Sequence, residues 1–457
     1  MSFQSIATVM SQTPPGPKGQ PVFGSSRRYA RDPFAFLTAL EGSYGDIAQF
    51  DMGPLNTYMI ADPATIERIL VSEADAFRKP AFQDDPLGDL LGEGLLLSEG
   101  KTWEKQRELA TPAFNMSRLS GLSGRIADHA ESLVANWSDG DVVDIEDQMT
   151  QVTIDVICDL MMGGELSAAQ RRTVQNQLEP IGRRFEPDPV RSAVPDWVPL
   201  PGDEEYRAAV EELDGLIGEI VARRRTEMAA GTDEASMDFL SILLRAQERG
   251  EQSEQQLRDE MMTMLLAGHD TTALTLTFTW YLLSEHPEAE RRVHAELDEL
   301  LDGDRSWMEV VREMEYTEWV INEAMRLYPP VYVMFRTPTR PFEANGYTVP
   351  EGATLMLPQY AVHRSERFWD DPDEFHPERW RPERASERPR FAYFPFGGGP
   401  RHCIGRQLAL LEARLIVATV GSEYRLRYAE DDPLELLPTL TAHPVDGLEM
   451  RVERREN

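Results

Sequence analysis

The sequence predicts a mainly α-helical protein with a small β region, folded as a single large domain. Apolar residues recur at helical spacing along most of the 457 residues. Extended character is confined to Ile47 to Ile60, Tyr347 to Leu357 and a stretch near the C-terminus. The segments rich in chemistry run from Trp103 to Cys403, which argues for one fold where length alone would allow two.

In chain order, residues 1–23 read as a flexible arm and residues 24–457 as the domain. The arm holds only a short apolar patch, Ile6 to Met10, before Pro14-Pro15-Gly16-Pro17, so neither a signal sequence nor a spanning helix is expected. Cys158, in the apolar run Val156-Ile157-Cys158-Asp159-Leu160, reads as a buried filler. Glu179 to Pro201 is rich in proline and charge and reads either as a mobile loop beside a substrate entrance or as a plain surface loop.

Ser253 and Glu254 mark a helix start, and the pattern runs unbroken to about Ser284, long enough at about 1.5 Å per residue to span a domain. Its middle holds Ala267-Gly268-His269-Asp270-Thr271-Thr272, poor helix formers kept together in an apolar helix at a cost in stability. Either each threonine bonds back to the previous turn or the group has a chemical task; His269 is given none. Glu323 and Arg326 lie three apart and share a helix face, a pairing that on a surface contributes little.

The stretch Phe394-Pro395-Phe396-Gly397-Gly398-Gly399-Pro400-Arg401-His402-Cys403-Ile404-Gly405 presents one cysteine on a glycine-built loop. Ile404, Leu408, Leu411 and Leu415 then recur at helical spacing, so Cys403 sits at a helix N-terminus, where the dipole and free N–H groups favour thiolate. A thiolate held this way can be the proximal ligand of haem. A phosphate loop would need Lys-Ser/Thr after its last glycine, where Arg406-Gln407 stands instead. Cys403 and His402 are adjacent and point apart, which argues against a nucleophile and base.

Phe396, Gly399, Arg401, Cys403 and Gly405 resemble the haem-binding loop of the cytochrome P450 family, and the order and spacing of the other motifs match that family over nearly the whole chain. The resemblance implies the cytochrome P450 fold and haem b (iron protoporphyrin IX, heme) on the Cys403 thiolate. It implies that Asp270 and Thr271 face bound oxygen and relay protons, and that Glu323, Arg326 and Arg379 form a buried network bracing the thiolate loop. Trp103, Arg107, Arg336 and Arg401 would hold the propionates, and Phe114, Ala267, Phe396, Gly397, Ile404, Gly405 and Ala409 would contact the macrocycle. Leu95, Leu96, Ala267, Val331, Val333, Met334 and Leu440 would line an apolar substrate pocket.

The activity so implied is monooxygenation: one atom of O₂ enters a lipophilic small molecule by hydroxylation or epoxidation, a fatty acid or carotenoid-like substrate being the narrower expectation. A peroxide-using or isomerising haem-thiolate enzyme, or a non-catalytic haem sensor, stays open as an alternative. With 54 residues after Cys403, a fused flavin reductase is not expected, and a ferredoxin with its reductase would bring NAD(P)H electrons. Between residues 376 and 406 stand arginines 379, 381, 384, 388, 390, 401 and 406, and Lys101 and Lys105 flank Trp103; with Arg379 and Arg401 assigned to the buried glutamate and the propionates, the remainder form a basic island that would receive an acidic ferredoxin.

That island stands out against a formal charge of −33 and a sequence pI near 4.6, which argue against nucleic acid and anionic membranes as partners. Lys18, Lys79, Lys101 and Lys105 are the lysines, and arginine supplies the other cations. Either a GC-rich gene or adaptation to a salt-saturated cytoplasm accounts for this, and the second is the expectation adopted. Two cysteines make no disulfide framework, so the reducing cytoplasm is the expected compartment; a monomer is expected as well.

Overall fold

The computed structural model describes residues 13–80, 84–164, 166–186, 188, 191, 198–231 and 238–455. Its axis is a central helix, Glu254–Glu285, 32 residues long. Ser253 and Gln256 close a capping box at its start, each bonding the other's backbone N–H, and Pro287 opens the next helix after the chain turns at His286. Helix Ile145–Met162 packs along it, capped by the Asp144 carboxylate at one end and stopped by Gly163 (φ +61°) at the other. Helices Glu315–Leu327 and Arg406–Glu423 also pack on it, so the two chemistry-bearing segments at Glu323 and Cys403 converge on the same scaffold.

The β region is a separate body with its own apolar core around Leu37, Met59, Ile60, Leu355 and Leu357. Its main sheet runs in the order Ile47–Met52, Leu55–Ile60, Thr354–Leu357, Met334–Pro338, Phe77–Arg78. The pairs are antiparallel except Leu55–Ile60 with Thr354–Leu357, which is parallel. The extended stretch at 347–357 divides between two sheets: Tyr347–Val349 pairs with Phe342–Ala344, and after Gly352 (φ +78°) the chain enters the main sheet. Near the C-terminus, Tyr424–Tyr428 and Val142–Asp144 flank Glu449–Arg454, and Leu436–Pro438 forms a hairpin with Ala442–Pro444.

Two segments differ from what composition suggests. From Pro14 on, the N-terminal arm is docked: Pro14 is buried, the Pro15 carbonyl accepts from the Gln49 amide at 3.0 Å, and Gly24 bridges to Met52. This covers the edge strand Ile47–Met52, and a Cβ on Gly16 would fall 1.7 Å from the Gln49 carbonyl oxygen. Residues 1–12 lie outside the described part. The proline- and charge-rich stretch begins as the end of helix Ala168–Arg184, with Pro180 inside it, and most of its remainder also lies outside. Among the described residues, no helix is long and apolar enough to cross a membrane.

Candidate active site

The cysteine loop depends on its glycines for conformation and for room. Gly397 and Gly399 have φ of +66° and +64°, and a Cβ at Gly399 would lie 2.0 Å from the Leu70 carbonyl oxygen. The Cys403 amide donates to the Phe396 carbonyl at 3.0 Å, closing the loop. Arg107 reaches in from helix Gly100–Ala110 to the His402 carbonyl at 3.0 Å and the His402 ring at 3.1 Å. Helix Arg406–Glu423 starts directly after, and the Gly405 and Arg406 amides donate to the Cys403 sulfur.

The Cys403 side chain has exposed surface, yet burial raises its thiol pKa, more strongly than those two amides and the charges of Arg107 and Arg406 lower it. Both statements hold if the sulfur faces an internal recess, reachable by water but walled by protein. Phe114 is part of that wall: a Cβ on Gly405 would lie 3.9 Å from the sulfur and 4.0 Å from the Phe114 ring.

Three predicted propionate residues gather at one place. Arg401 donates to the Ser98 carbonyl at 2.7 Å, pairs with Glu99 and lies 4.3 Å over the Trp103 ring. Arg336 is close enough for Arg401 to repel it; burial first, then that repulsion, pulls its pKa down to about 10, against the attraction of Glu99. Among the described residues its guanidinium donates one hydrogen bond, to the Phe335 carbonyl at 2.7 Å, and pairs with no carboxylate. A guanidinium desolvated with most of its donors unused is suited to an anionic group from outside the chain, such as a propionate. Together with a sulfur on a recess, this donor set fits haem.

On the central helix the threonines divide. Thr275, Thr277 and Thr279 bond back one turn, to the carbonyls of Thr271, Ala273 and Thr275 at 2.8, 2.9 and 2.7 Å. Thr271 makes no such bond among the described residues and is half-buried, and Ala267, one turn earlier, is exposed although it lies mid-helix. The face bearing Ala267, Asp270 and Thr271 therefore opens on interior space. Gly268 is where helix Ile145–Met162 crosses, since a Cβ there would meet Ile157 at 2.6 Å. His269 is buried with its Nδ1 at 2.6 Å from the Leu265 carbonyl, and burial lowers its pKa.

Asp270 has partners that no sequence motif announced. The Thr441 hydroxyl donates to its Oδ2 at 2.9 Å, His443 Nε2 stands 3.6 Å from its Oδ1, and His443 Nδ1 is 2.6 Å from Glu146. These residues come from the hairpin Leu436–Pro438/Ala442–Pro444 and from the first turn of Ile145–Met162. The hairpin is docked by the Ala442 amide on the Pro330 carbonyl, 2.9 Å, and the Tyr332 hydroxyl on the Thr439 carbonyl, 3.1 Å.

The structure brings Glu323, Arg326 and Arg379 together. Arg326 forks onto both Glu323 oxygens at 2.9 and 2.8 Å, and Arg379 reaches Oε1 at 3.1 Å. The His376 amide and Trp380 Nε1 supply further donors at 3.0 Å each. Glu323 and Arg326 are both 0% exposed, so the surface-pair reading does not apply.

Of the remaining predicted residues, Leu95, Val333 and Phe114 are buried; Val331, Met334, Phe396, Gly397, Ile404, Gly405 and Ala409 are half-buried; Leu96 and Leu440 are exposed. Met334 lies against the cysteine loop, its methyl 3.2 Å from where a Gly397 Cβ would be. The basic island is smaller than expected. Arg388 lies between Trp369 and Trp380 at 4.2 and 4.9 Å, and burial pulls its pKa down to about 10. Arg379 and Arg401 are engaged as described, leaving Arg381, Arg384, Arg390 and Arg406 exposed with Lys101 and Lys105. Cys158 is buried in the helical core, and burial raises its thiol pKa.

Compared with known proteins, the chain matches a family model described as Cytochrome P450 over residues 14–447. It is 33% identical over 415 residues to cyclooctat-9-en-7-ol 5-monooxygenase of Streptomyces melanosporofaciens, covering 90% of this chain and 89% of that protein. It is 28% identical over 455 residues to pentalenene oxygenase of Streptomyces avermitilis, 98% of each. Carotene epsilon-monooxygenase of Arabidopsis thaliana is 31% identical over 438 residues, 90% of this chain and 80% of the relative. The crystal structure of the cytochrome P450DA heme domain superposes with a TM-score of 0.85 at 28% identity over 98% of both chains.

Proposed function

The chain belongs to the cytochrome P450 family and is a haem-thiolate monooxygenase acting on lipophilic molecules, and from that premise we propose that Cys403 ligates the iron and that the substrate is a bulky, largely hydrocarbon lipid. The observation that carries the assignment is the Cys403 sulfur itself: it accepts two backbone amides, has Arg107 and Arg406 nearby, and is walled closely enough for burial to raise its pKa although the residue keeps exposed surface. Burial alone keeps this sulfur protonated, whereas a metal ion deprotonates a coordinating thiol outright. Bound there, haem supplies reductive activation of O₂.

The chain's own residues would do the rest. Arg336, Arg401 and Trp103 would hold the propionates, with Arg107 holding the thiolate loop through His402. Phe114, Phe396, Gly397, Ile404, Gly405, Ala409 and Ala267 would pack on the ring. Asp270 would hold a proton for the oxygen site and Thr271 would orient it. The hydroxyl of Thr271, not bonded back to the helix, supports this over a packing role, and the pair favours an O₂-using reaction over a peroxide-using, isomerising or sensing one. Glu323, Arg326 and Arg379 would brace the loop.

Leu95, Leu96, Val331, Val333, Met334 and Leu440 would make an apolar substrate wall without a cation to hold a fatty-acid carboxylate. Relatives named for cyclooctat-9-en-7-ol, pentalenene and carotene also point to a terpenoid or carotenoid-like compound. The exposed cation Arg406, near the thiolate, supports docking of an acidic ferredoxin that receives NAD(P)H electrons from its reductase, whereas Lys101 and Lys105 face Glu251 and Gln252. The protein would work as a cytoplasmic monomer in high salt, its −33 charge screened there; a melting midpoint unmoved between low and molar KCl would count against that last point.

The reduced protein with CO tests the ligand: a strongly red-shifted band is expected, and its survival in Cys403→Ser would overturn the assignment. Spectral titration with terpenoids, carotenoids and fatty acids tests the substrate class, and a shift given by fatty acids alone would reverse it.

A further inference from the structure

The hairpin that carries Leu440 also carries Thr441 and His443 to the side of Asp270. Four groups lie in line: Glu146 Oε1, 2.6 Å from His443 Nδ1; His443 Nε2, 2.9 Å from the Thr441 hydroxyl; and that hydroxyl, 2.9 Å from Asp270 Oδ2. We propose that His443, held between Glu146 and Asp270, is a positioning residue that orients Asp270 and returns protons to it through the Thr441 hydroxyl. This rests on the reading of Asp270 as the acid serving the oxygen site.

Counting donors fixes the direction. Thr441 has one hydroxyl proton, and it is given to Asp270. Its oxygen must therefore accept from His443 Nε2–H, while Nδ1–H donates to the Glu146 carboxylate. With Glu146 a carboxylate, the doubly protonated imidazole gives each of the three links one donor and one acceptor, and a neutral imidazole leaves one link without its proton; burial raises the Glu146 pKa, against the hydrogen bond and charge of His443. The charged groups around His443 agree. Asp270 faces it from the central helix and Glu146 from helix Ile145–Met162, whose cap Asp144 adds a further negative charge beside Glu146; His269 lies nearby, its pKa lowered by burial. Burial works against the charged imidazole, but Asp270 and Glu146 outweigh it and push its pKa up to about 9.

To serve the oxygen site, Asp270 takes the Thr441 hydroxyl proton on Oδ2 as that hydroxyl takes the Nε2 proton of His443, and Asp270 then passes a proton on. The imidazole is left neutral with its proton on Nδ1, and once the Thr441 hydroxyl has turned back to Asp270, solvent reprotonates the bare Nε2 of His443, whose side chain is 25% exposed. No bond between heavy atoms changes and no oxidant is needed.

Two measurements test this. In the diamagnetic ferrous–CO form, the His443 ring should titrate near 9 by NMR, and Asp270→Asn should lower that value by a unit or more. A value near the ordinary histidine pKa in wild type overturns the proposal. In turnover, His443→Gln keeps a donor but no titratable proton, and Thr441→Val cuts the link while leaving His443 in place. Each should lower product formed per NAD(P)H by about 10-fold. The wild-type decline in coupling as pH rises through about 9 should be missing from His443→Gln. The CO band and melting midpoint check folding, and Thr441→Val carries the test if His443→Gln misfolds. Unchanged coupling in Asp270→Asn refutes the reading of Asp270 itself. Uncoupling in Asp270→Asn with normal coupling in both other variants refutes the role of His443 alone.

Discussion

Glu323 and Asp270 are both carboxylates fixed by partners from distant segments, but the partners differ in kind. Glu323 is held by two arginines, an indole and a backbone amide, all of which keep their protons near neutral pH. Asp270 is held by a hydroxyl and an imidazole, groups that pass protons on. Exposure follows the same division: 0% for the Glu323 and Arg326 side chains, 28% for Asp270 and 25% for His443. Placed on the Cys403 side, the first arrangement can only brace. Placed beside Thr271, the second can be refilled from solvent.

The largest expected effect comes from breaking the brace. Glu323→Ala would leave two guanidinium groups buried against an apolar gap, a loss of roughly 3–5 kcal/mol. That is a large share of the stability of an ordinary domain, so little folded haem protein should be recovered. A normal melting midpoint and a normal CO band in Glu323→Ala would show that the cluster is incidental to the fold.

Next comes the proton side. Thr271→Ala should fold and bind haem but divert reducing equivalents to peroxide, with product formation down about 10²-fold, the low end for losing a proton-delivery group. Coupling equal to wild type would place Thr271 with Thr275, Thr277 and Thr279 as a packing residue.

The two clusters were unequally legible in sequence. Cys403 could be found because glycine, arginine and cysteine lie within one loop, and the central helix because Ser253 and Glu254 mark its start and the apolar pattern then runs unbroken to about Ser284. Glu323 and Arg326 share a single turn, so only Arg379 had to come from elsewhere. The partners of Asp270 are another matter: Thr441 is 171 residues from it and His443 is 297 from Glu146, and a lone histidine in a short hairpin carries no local signal. Arg388 failed in the opposite way. Its charge reads as surface, and only the meeting of Trp369 and Trp380 turns it inward. The arm at Pro14 to Gly24 looked flexible because the contacts that dock it, Pro15 to Gln49 and Gly24 to Met52, run to a strand edge that sequence cannot pair.

A third buried acid sharpens the comparison because it has no cation. Glu260 lies on the central helix at 1% exposure, and neither oxygen has a full hydrogen bond, the Leu95 amide approaching only loosely. Burial, reinforced by Asp259 and opposed by that amide, pushes its pKa up to about 8. The folded state therefore holds a proton that the unfolded chain releases between the ordinary carboxylate value and about 8. Across that window stability falls as pH rises, because the native state binds more protons than the unfolded one. Glu260→Gln removes this titration without changing shape. The variant should match wild type near pH 5 and exceed it by about 2 kcal/mol near pH 9, short of the full shift because water reaching the ionised group relieves part of the cost and a buried amide also wants partners. Parallel stability curves for the two proteins from pH 5 to 9 would mean that Glu260 is ionised and paired in solution, like Glu323, rather than neutral and alone.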